Sequence, residues 1–353
     1  MLTWLGRIAA ALAVLVAGAG LALYESDIPR AELTALYGGP DSQFVQLASG
    51  GRAHYRDRGP RDAPVLLLLH GSNASLHTWE PWAAELAGPF RVVTVDLPGH
   101  GLTGAVPDGV YTQKAMAGFV LEFASALGLD RFALGGNSMG GGVAARFAID
   151  NPGRVTKLIL IDAAGFPSRV EGDPGLGFRL ARMPVVRNLL LVATPRALFE
   201  TSLKTAIADD ALVTAEMVDR YWRLNRMEGS RAATLVRFQS PPDGTVRERA
   251  GEIAVPVLVL WGAEDRLIPP DAGEALAAAI PGARLIVYPG VGHLPMEEAA
   301  ARSRNIQFGI IALIVITLGI FLLVFSRTAV VGAKAIKNLS LIALLLFFEF
   351  INL

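Results

Sequence analysis

Short apolar runs recur through the middle of the chain, each closed by a small or polar turn: Val65–Leu69, Arg91–Val95, Phe132–Leu134, Leu158–Ile161, Val257–Leu260 and, last, Arg284–Tyr288. Continuous runs of this length, separated by stretches of helical spacing such as Ala115–Leu127 and Ala272–Ala279, predict a mostly parallel central sheet with helices on both faces. Gln43–Leu47 and Ala53–Asp57 alternate instead, which predicts an antiparallel hairpin at the sheet's edge, turning at Gly50-Gly51. Between Phe166 and Glu252 the strand-like runs stop, and helical stretches such as Arg196–Ala208 and Thr214–Arg226 take over. An insertion at that place, after the strand that ends at Asp162, is expected to lie as a helical cap across the carboxyl ends of the strands, where open parallel sheets bind their ligands.

The two ends of the chain follow a different pattern. Ile8–Tyr24 carries no charged residue and is long enough to approach a membrane span, so it reads as a signal peptide or an anchor. Ala17-Gly18-Ala19 would suit cleavage, but the apolar run continues past it to Tyr24, which favours an uncleaved anchor. Ile306–Phe325 is a second apolar run, and after a loop with Arg327, Lys334 and Lys337 comes a third, Leu339–Leu353, broken only by Glu349. A cytoplasmic position for that basic loop puts the body on the periplasmic, extracytoplasmic side of a lipid bilayer. The Ala/Arg/Gly/Pro texture of the body stops near Ser303, so the tail reads either as one or two transmembrane helices or as a truncated or fused reading frame. The expected divisions are residues 1–29 as anchor and linker, 30–165 with 253–304 as core, 166–252 as cap, and 305–353 as apolar tail.

Composition narrows the chemistry. Lys and Arg number 32, as do Asp and Glu, so no basic surface points to a nucleic-acid partner. Cysteine is absent, which removes disulfides, thiolate metal sites and a cysteine nucleophile; neither a cofactor nor a metal is called for. Any covalent chemistry must then come from another nucleophile. Gly136-Asn137-Ser138-Met139-Gly140 directly follows the run Phe132–Leu134, and a serine between glycines after a strand is how a sharp nucleophile turn is written. Small neighbours let the central residue take the disfavoured positive φ that exposes its hydroxyl.

His70-Gly71-Ser72, Asp96 to Gly101, the serine turn, Trp261 to Asp265 and Gly292-His293-Leu294-Pro295 together resemble the α/β-hydrolase superfamily, in order and over about Gln43 to Glu298. The texture is similar to capped bacterial hydrolases, among them the meta-cleavage-product hydrolases and the cofactor-free haloperoxidases. The resemblance implies the α/β-hydrolase fold, the cap, and a catalytic triad in the chain order Ser, Asp, His. Ser138 is then the nucleophile. His293, which alone of the five histidines follows Asp265 and sits in a glycine-rich loop after the last strand, is its base. Asp265 is the orienting acid in preference to Glu264 beside it and to Asp162, which is expected to cap the turn into the insertion. The oxyanion hole is expected from the backbone N–H groups of Ser72 and Met139, with Asn73 as a further substrate contact. His70 and His100 are expected to hold loops, His54 to lie in the edge hairpin and His77 to begin a helix.

A serine nucleophile sets the chain apart from the dehalogenases and epoxide hydrolases of this fold, which use aspartate. Leu294-Pro295 replaces the tryptophan that meta-cleavage hydrolases place after the histidine. The expected activity is therefore hydrolysis of a small-molecule ester or related acyl compound through an acyl-enzyme. Carbon–carbon bond hydrolysis and cofactor-free perhydrolase or haloperoxidase chemistry are the alternatives, and a non-catalytic membrane-associated binding protein is a second. Phe178, Phe199, Trp222 and Phe238 of the cap are candidates both for its core and for the pocket wall.

Overall fold

The structure, a computed structural model, describes residues 4, 6, 7 and 24–299, apart from 174, 184, 185 and 242. The apolar segments expected to meet the bilayer, residues 8–23 and 306–353, lie outside the described residues. Among the described residues no helix is long and apolar enough to cross a membrane.

The apolar runs pair as the periodicity predicts. Eight strands, β1 (Gln43–Gln46), β2 (Arg52–Arg58), β3 (Val65–Leu69), β4 (Arg91–Val95), β5 (Phe132–Asn137), β6 (Val155–Ile161), β7 (Val257–Gly262) and β8 (Arg284–Tyr288), form one sheet in the order β1-β2-β4-β3-β5-β6-β7-β8. β1 and β2 pair antiparallel, as do β2 and β4, and every other pair is parallel. Only β1 of the expected hairpin is therefore a true edge. β5 runs on to Asn137, beyond the expected Leu134, because its Gly135-Gly136 dipeptide hides a strand that is registered Leu69↔Gly136 on one side and Asn137↔Ile161 on the other. These registers bring the loops after β3, β5, β6 and β7 to one end of the sheet.

The helices are α1 (Arg30–Tyr37), α2 (Glu80–Leu86), α3 (Gln113–Ala126), α4 (Met139–Asp150), then α5 (Gly175–Arg182), α6 (Val186–Leu189), α7 (Arg196–Ala206), α8 (Ala215–Asn225), α9 (Ser230–Gln239) and α10 (Thr245–Arg249) between β6 and β7, followed by α11 (Pro270–Ala279) and α12 (Pro295–Glu298). Thr112 and Thr214 cap α3 and α8, their side chains accepting from Ala115 N–H and Met217 N–H, which sets both starts near where the sequence pattern put them. α3, α4 and α11 pack on the sheet, and Phe123, Phe132, Phe147 and Trp261 fill the core between them.

His54 lies on β2 of the hairpin, as expected, and is fully buried there: its Nδ1 lies 2.6 Å from Asp96 Oδ2, and its Nε2 meets the Ser42 hydroxyl. Asp96 also accepts from Leu76 N–H and Leu102 N–H, so this pair ties β2 to the loop after β4. The span 24–29, expected as linker, is built into the helical insertion. Glu25 N–H donates to Val192 O at 2.8 Å, Ile28 N–H to Arg226 O at 2.7 Å, and Arg231 binds Asp27 through Nε and Nη2 at 2.9 and 2.7 Å.

Candidate active site

Ser138 stands between the end of β5 and the start of α4 with φ 52° and ψ −119°, a conformation open to L residues only under constraint. The constraint is backbone bonding on both sides: Ser138 N–H donates to Ile161 O at 2.9 Å, and Ser138 O accepts from Ala164 N–H at 2.9 Å and Gly142 N–H at 3.1 Å. The flanking glycines are obligatory. A Cβ on Gly136 would fall 2.2 Å from Gly140 O, and one on Gly140 would fall 2.4 Å from Leu69 O.

His293 follows β8 in the loop that the sequence pattern selected, and the loop is held from three directions. Its N–H donates to Ala206 O at the end of α7 (2.7 Å), and its carbonyl accepts from Asn137 Nδ2 (3.0 Å). Glu298 gathers Gly292 N–H (2.9 Å), Leu294 N–H (3.1 Å) and Ala208 N–H (2.8 Å) onto one carboxylate. Nδ1 of His293 lies 2.7 Å from Asp265 Oδ2, and both residues are 4 % exposed. Asp265 Oδ1 accepts from Leu267 N–H and Ile268 N–H at 2.8 and 3.0 Å, so the carboxylate is fixed before it meets the ring. An ionised carboxylate can only accept, which assigns the imidazole proton to Nδ1 and leaves Nε2 as the basic nitrogen. Ser138 and His293 line the same cavity, and no hydrogen bond joins their side chains; such contacts commonly close only when substrate is bound.

Asp162, expected to cap the turn into the insertion, turns back toward the site instead. At φ 44° it is fully buried, its Oδ1 accepts from Gly262 N–H at 2.8 Å, and its Oδ2 has no hydrogen-bond partner in the described residues' geometry. Burial, and next the negative charge of Asp265, push its carboxyl well above the usual carboxylate range. Ligand atoms of Asp162, Asp265 and His293 approach within 4.8 Å of one another. Their donor chemistry is nonetheless spent internally: both oxygens of Asp265 and one of Asp162 already accept hydrogen bonds, which fits an acid–base pair better than a metal centre. Glu264 is exposed.

Ser72 and Met139 line the cavity, and among the described residues neither backbone N–H has an acceptor, as an oxyanion hole requires. Met139 also opens α4, whose dipole adds positive potential there. Asn73 lines the cavity too, in a left-handed turn at φ 59°. The cavity measures about 580 Å³, with Met116, Val143, Phe199, Leu203, Phe238 and Ile268 among its apolar walls. Phe199 and Phe238 are thus wall residues. Trp222 is not; its indole N–H donates to Thr194 O at 2.9 Å. The Phe178 side chain lies outside the description.

The remaining histidines are structural. His70 Nε2 accepts from Leu97 N–H at 2.9 Å, and His100 Nδ1 lies 2.8 Å from Pro98 O. Burial holds both below the usual imidazole pKa, and it lowers His77, in the turn Leu76–Trp79, to about 4. Three residues of the site escaped sequence reasoning. Asn137 could have been found, since it stands inside the serine turn. Glu298 stands in the short helix after the histidine, and Arg237 on α9 carried no local signal.

The alpha/beta hydrolase fold family matches residues 64–300. A 2-hydroxy-6-oxo-6-phenylhexa-2,4-dienoate hydrolase of Burkholderia cepacia is 30 % identical over 302 residues, covering 79 % of this chain and 99 % of that protein. The dihydrolipoyllysine-residue acetyltransferase component of the acetoin cleaving system of Cupriavidus necator is 32 % identical over 263 residues, 73 % of this chain and 66 % of that protein. Among solved structures, the enol-lactonase of Burkholderia xenovorans LB400 superposes with a TM-score of 0.62 at 27 % identity, covering 75 % of this chain and 98 % of the other.

Proposed function

We propose, since the chain belongs to the α/β-hydrolase family and is a hydrolase, that it is a serine hydrolase acting on an ester or related acyl compound. The observation that carries the reading is the His293–Asp265 pair, buried and bonded at 2.7 Å, on the same cavity as a serine held at positive φ. Ser138 Oγ attacks the acyl carbon while Nε2 of His293 takes its proton. The carbonyl oxygen, now negative, is received by the N–H groups of Ser72 and Met139, donors worth roughly 3 kcal/mol each in such sites. Collapse returns the proton to the leaving alkoxide and leaves the acyl group on Ser138. Water then gives a proton to His293, attacks the acyl-enzyme, and releases the acid with Ser138 restored. Asp265 orients the ring and stabilises the imidazolium without accepting the proton.

Carbon–carbon bond hydrolysis is the second reading, favoured by the named activity of the Burkholderia cepacia relative. The Leu294-Pro295 step after the base argues for the ester reading. Full-length protein in detergent, assayed with short p-nitrophenyl esters, with a dienoate ring-cleavage product and with a fluorophosphonate, separates the two. Ester turnover, phosphonate labelling at Ser138 and loss of both in Ser138→Ala are expected; turnover that survives Ser138→Ala overturns the serine mechanism. We further place the body outside the cytoplasm, held at the bilayer by the segment 8–24, on the strength of its uncharged length and the basic loop 327–337. Protease treatment of spheroplasts, whose outer envelope is opened, should reach the body, and full protection there would refute this placement.

A further inference from the structure

Arg237 projects from α9 into the cavity, where its Nη1 donates to Ser72 Oγ at 2.6 Å and lies 3.5 Å from Met139 Sδ, while Nη2 donates to Asn73 Oδ1 at 3.0 Å. All three partners are neutral. Other arginines that this body buries hold a carboxylate: Arg56 (7 % exposed) binds Glu80, Arg146 (8 %) binds Asp243, and Arg231 (8 %) binds Asp27. For Arg237, among the described residues, no carboxylate lies within 4.0 Å. Asp243, the one carboxylate among the described cavity-lining residues, is taken by Arg146 at 2.6 Å. Arg237 is half-buried by surface, the cavity forming its open side, yet loss of hydration there pulls its guanidinium down to about 9. A cation set so deep without a counter-ion is costly, and the cost is recovered when a ligand brings the opposite charge.

Its position says where that charge must sit. Ser72 and Met139, two of the three residues that Arg237 touches, are those whose N–H groups would receive the carbonyl oxygen. An anion on the remaining donors, Nε–H and the second hydrogen of Nη2, would therefore lie close to the scissile carbonyl, at the acyl end of a mostly apolar cavity. A guanidinium edge matches a carboxylate in plane and in spacing.

Resting on the serine-hydrolase reading, we propose that Arg237 is the anion-recognition group of this site and that the substrate's acyl part carries a carboxylate a few bonds from the carbonyl that Ser138 attacks. The substrate class is the half-ester or similar monoacyl derivative of a short dicarboxylic acid.

The test uses full-length protein in detergent with mono-p-nitrophenyl glutarate and, as its neutral counterpart, p-nitrophenyl valerate. The wild type should show a kcat/KM at least tenfold higher for the glutarate. Arg237→Gln, which can still bond Ser72 and Asn73, should lower the ratio of the two kcat/KM values at least tenfold, and Arg237→Lys should keep part of it. A guanidinium that only clamps α9 to the core would lower both substrates together with the ratio unchanged, which overturns the proposal, as does a wild type that prefers valerate. Binding of the same two esters to Ser138→Ala by calorimetry makes the result independent of turnover. Glutarate should bind at least tenfold more tightly, and equal affinities refute the anion site. Absence of fluorophosphonate labelling at Ser138 would mark failure of the hydrolase reading instead.

Discussion

At the scale of single residues, the site is made by side chains whose geometry is forced from outside. Gly140 is the plainest example, because an added Cβ would meet the fixed carbonyls of Leu69 and His70 at 2.4 and 2.5 Å. Gly140→Ala should cost about 1–3 kcal/mol of stability in urea unfolding, typical of overpacking, and should abolish fluorophosphonate labelling because Ser138 is displaced. Full labelling with an unchanged urea midpoint would show that the turn has slack. Asp162 makes a pH-dependent prediction. Its carboxyl is raised in the folded state, so above the ordinary value of 3.8 the unfolded chain releases a proton that the folded chain keeps, and stability falls as pH rises from there toward the folded pKa. Asp162→Asn preserves an acceptor for Gly262 N–H and removes the ionisable proton. It should therefore melt higher than the wild type at pH 8 and show no such gain at pH 4. A gain of equal size at both pH values would mean that Asp162 is ionised in the fold. The sharp turn at Ser138 was legible in the sequence because its requirement is local, two glycines around one serine. The environment of Asp162 was not, because it depends on Gly262 and Asp265, which reach it from another strand.

At the scale of elements, the cap and the loop that carries His293 are one hydrogen-bonded assembly. Glu298, on α12, accepts from Gly292 and Leu294 on either side of His293 and from Ala208 just beyond α7, while the backbone N–H of His293 itself bonds Ala206. His293, the proposed base, is thus positioned jointly by the core and the cap. Glu298→Ala strands three N–H donors, each worth about 1–3 kcal/mol where water cannot replace the acceptor. It should lower kcat/KM at least tenfold through kcat, with Glu298→Gln recovering part of the loss through its remaining carbonyl oxygen. Equal kinetics in the wild type and Glu298→Ala would show that the loop keeps its place without this carboxylate. Cap helices α7 and α8 were legible within two residues of their observed ends, since helical periodicity and the Thr214 cap are local signals. The bond from cap to base was invisible, since Glu298 and Ala208 stand 90 positions apart and nothing in either segment names the other. Arg237 is the extreme instance, meeting Ser72 across 165 positions.

At the scale of the whole described body, the sheet order follows from the apolar runs only in part. Their lengths announce parallel pairing, but the order β4-β3-β5 and the buried His54–Asp96 contact are decided by which strands share a neighbour. The largest departure from the sequence reading lies at residues 24–29. Glu25 and Asp27 look like a polar spacer after an apolar segment, yet their polarity serves the insertion: Asp27 neutralises the buried Arg231, and Glu25 N–H and Ile28 N–H extend the backbone bonding of the cap. The segment directly after the expected anchor is thereby part of what holds the cap in place. A chain that starts at residue 24 should melt with the same midpoint as one that starts at residue 8, whereas a chain that starts at residue 30 leaves Arg231 without its carboxylate. Asp27 is partly exposed, so the charge-assisted pair contributes toward the lower end of the usual range, about 1–2 kcal/mol, or a few degrees in Tm for a body of this size. Trypsin should also cut the residue-30 chain sooner between α5 and α8, where the cap has lost its bonds to Glu25 and Ile28. Identical melting and digestion for the starts at 24 and 30 would show that the strap contributes nothing to the cap.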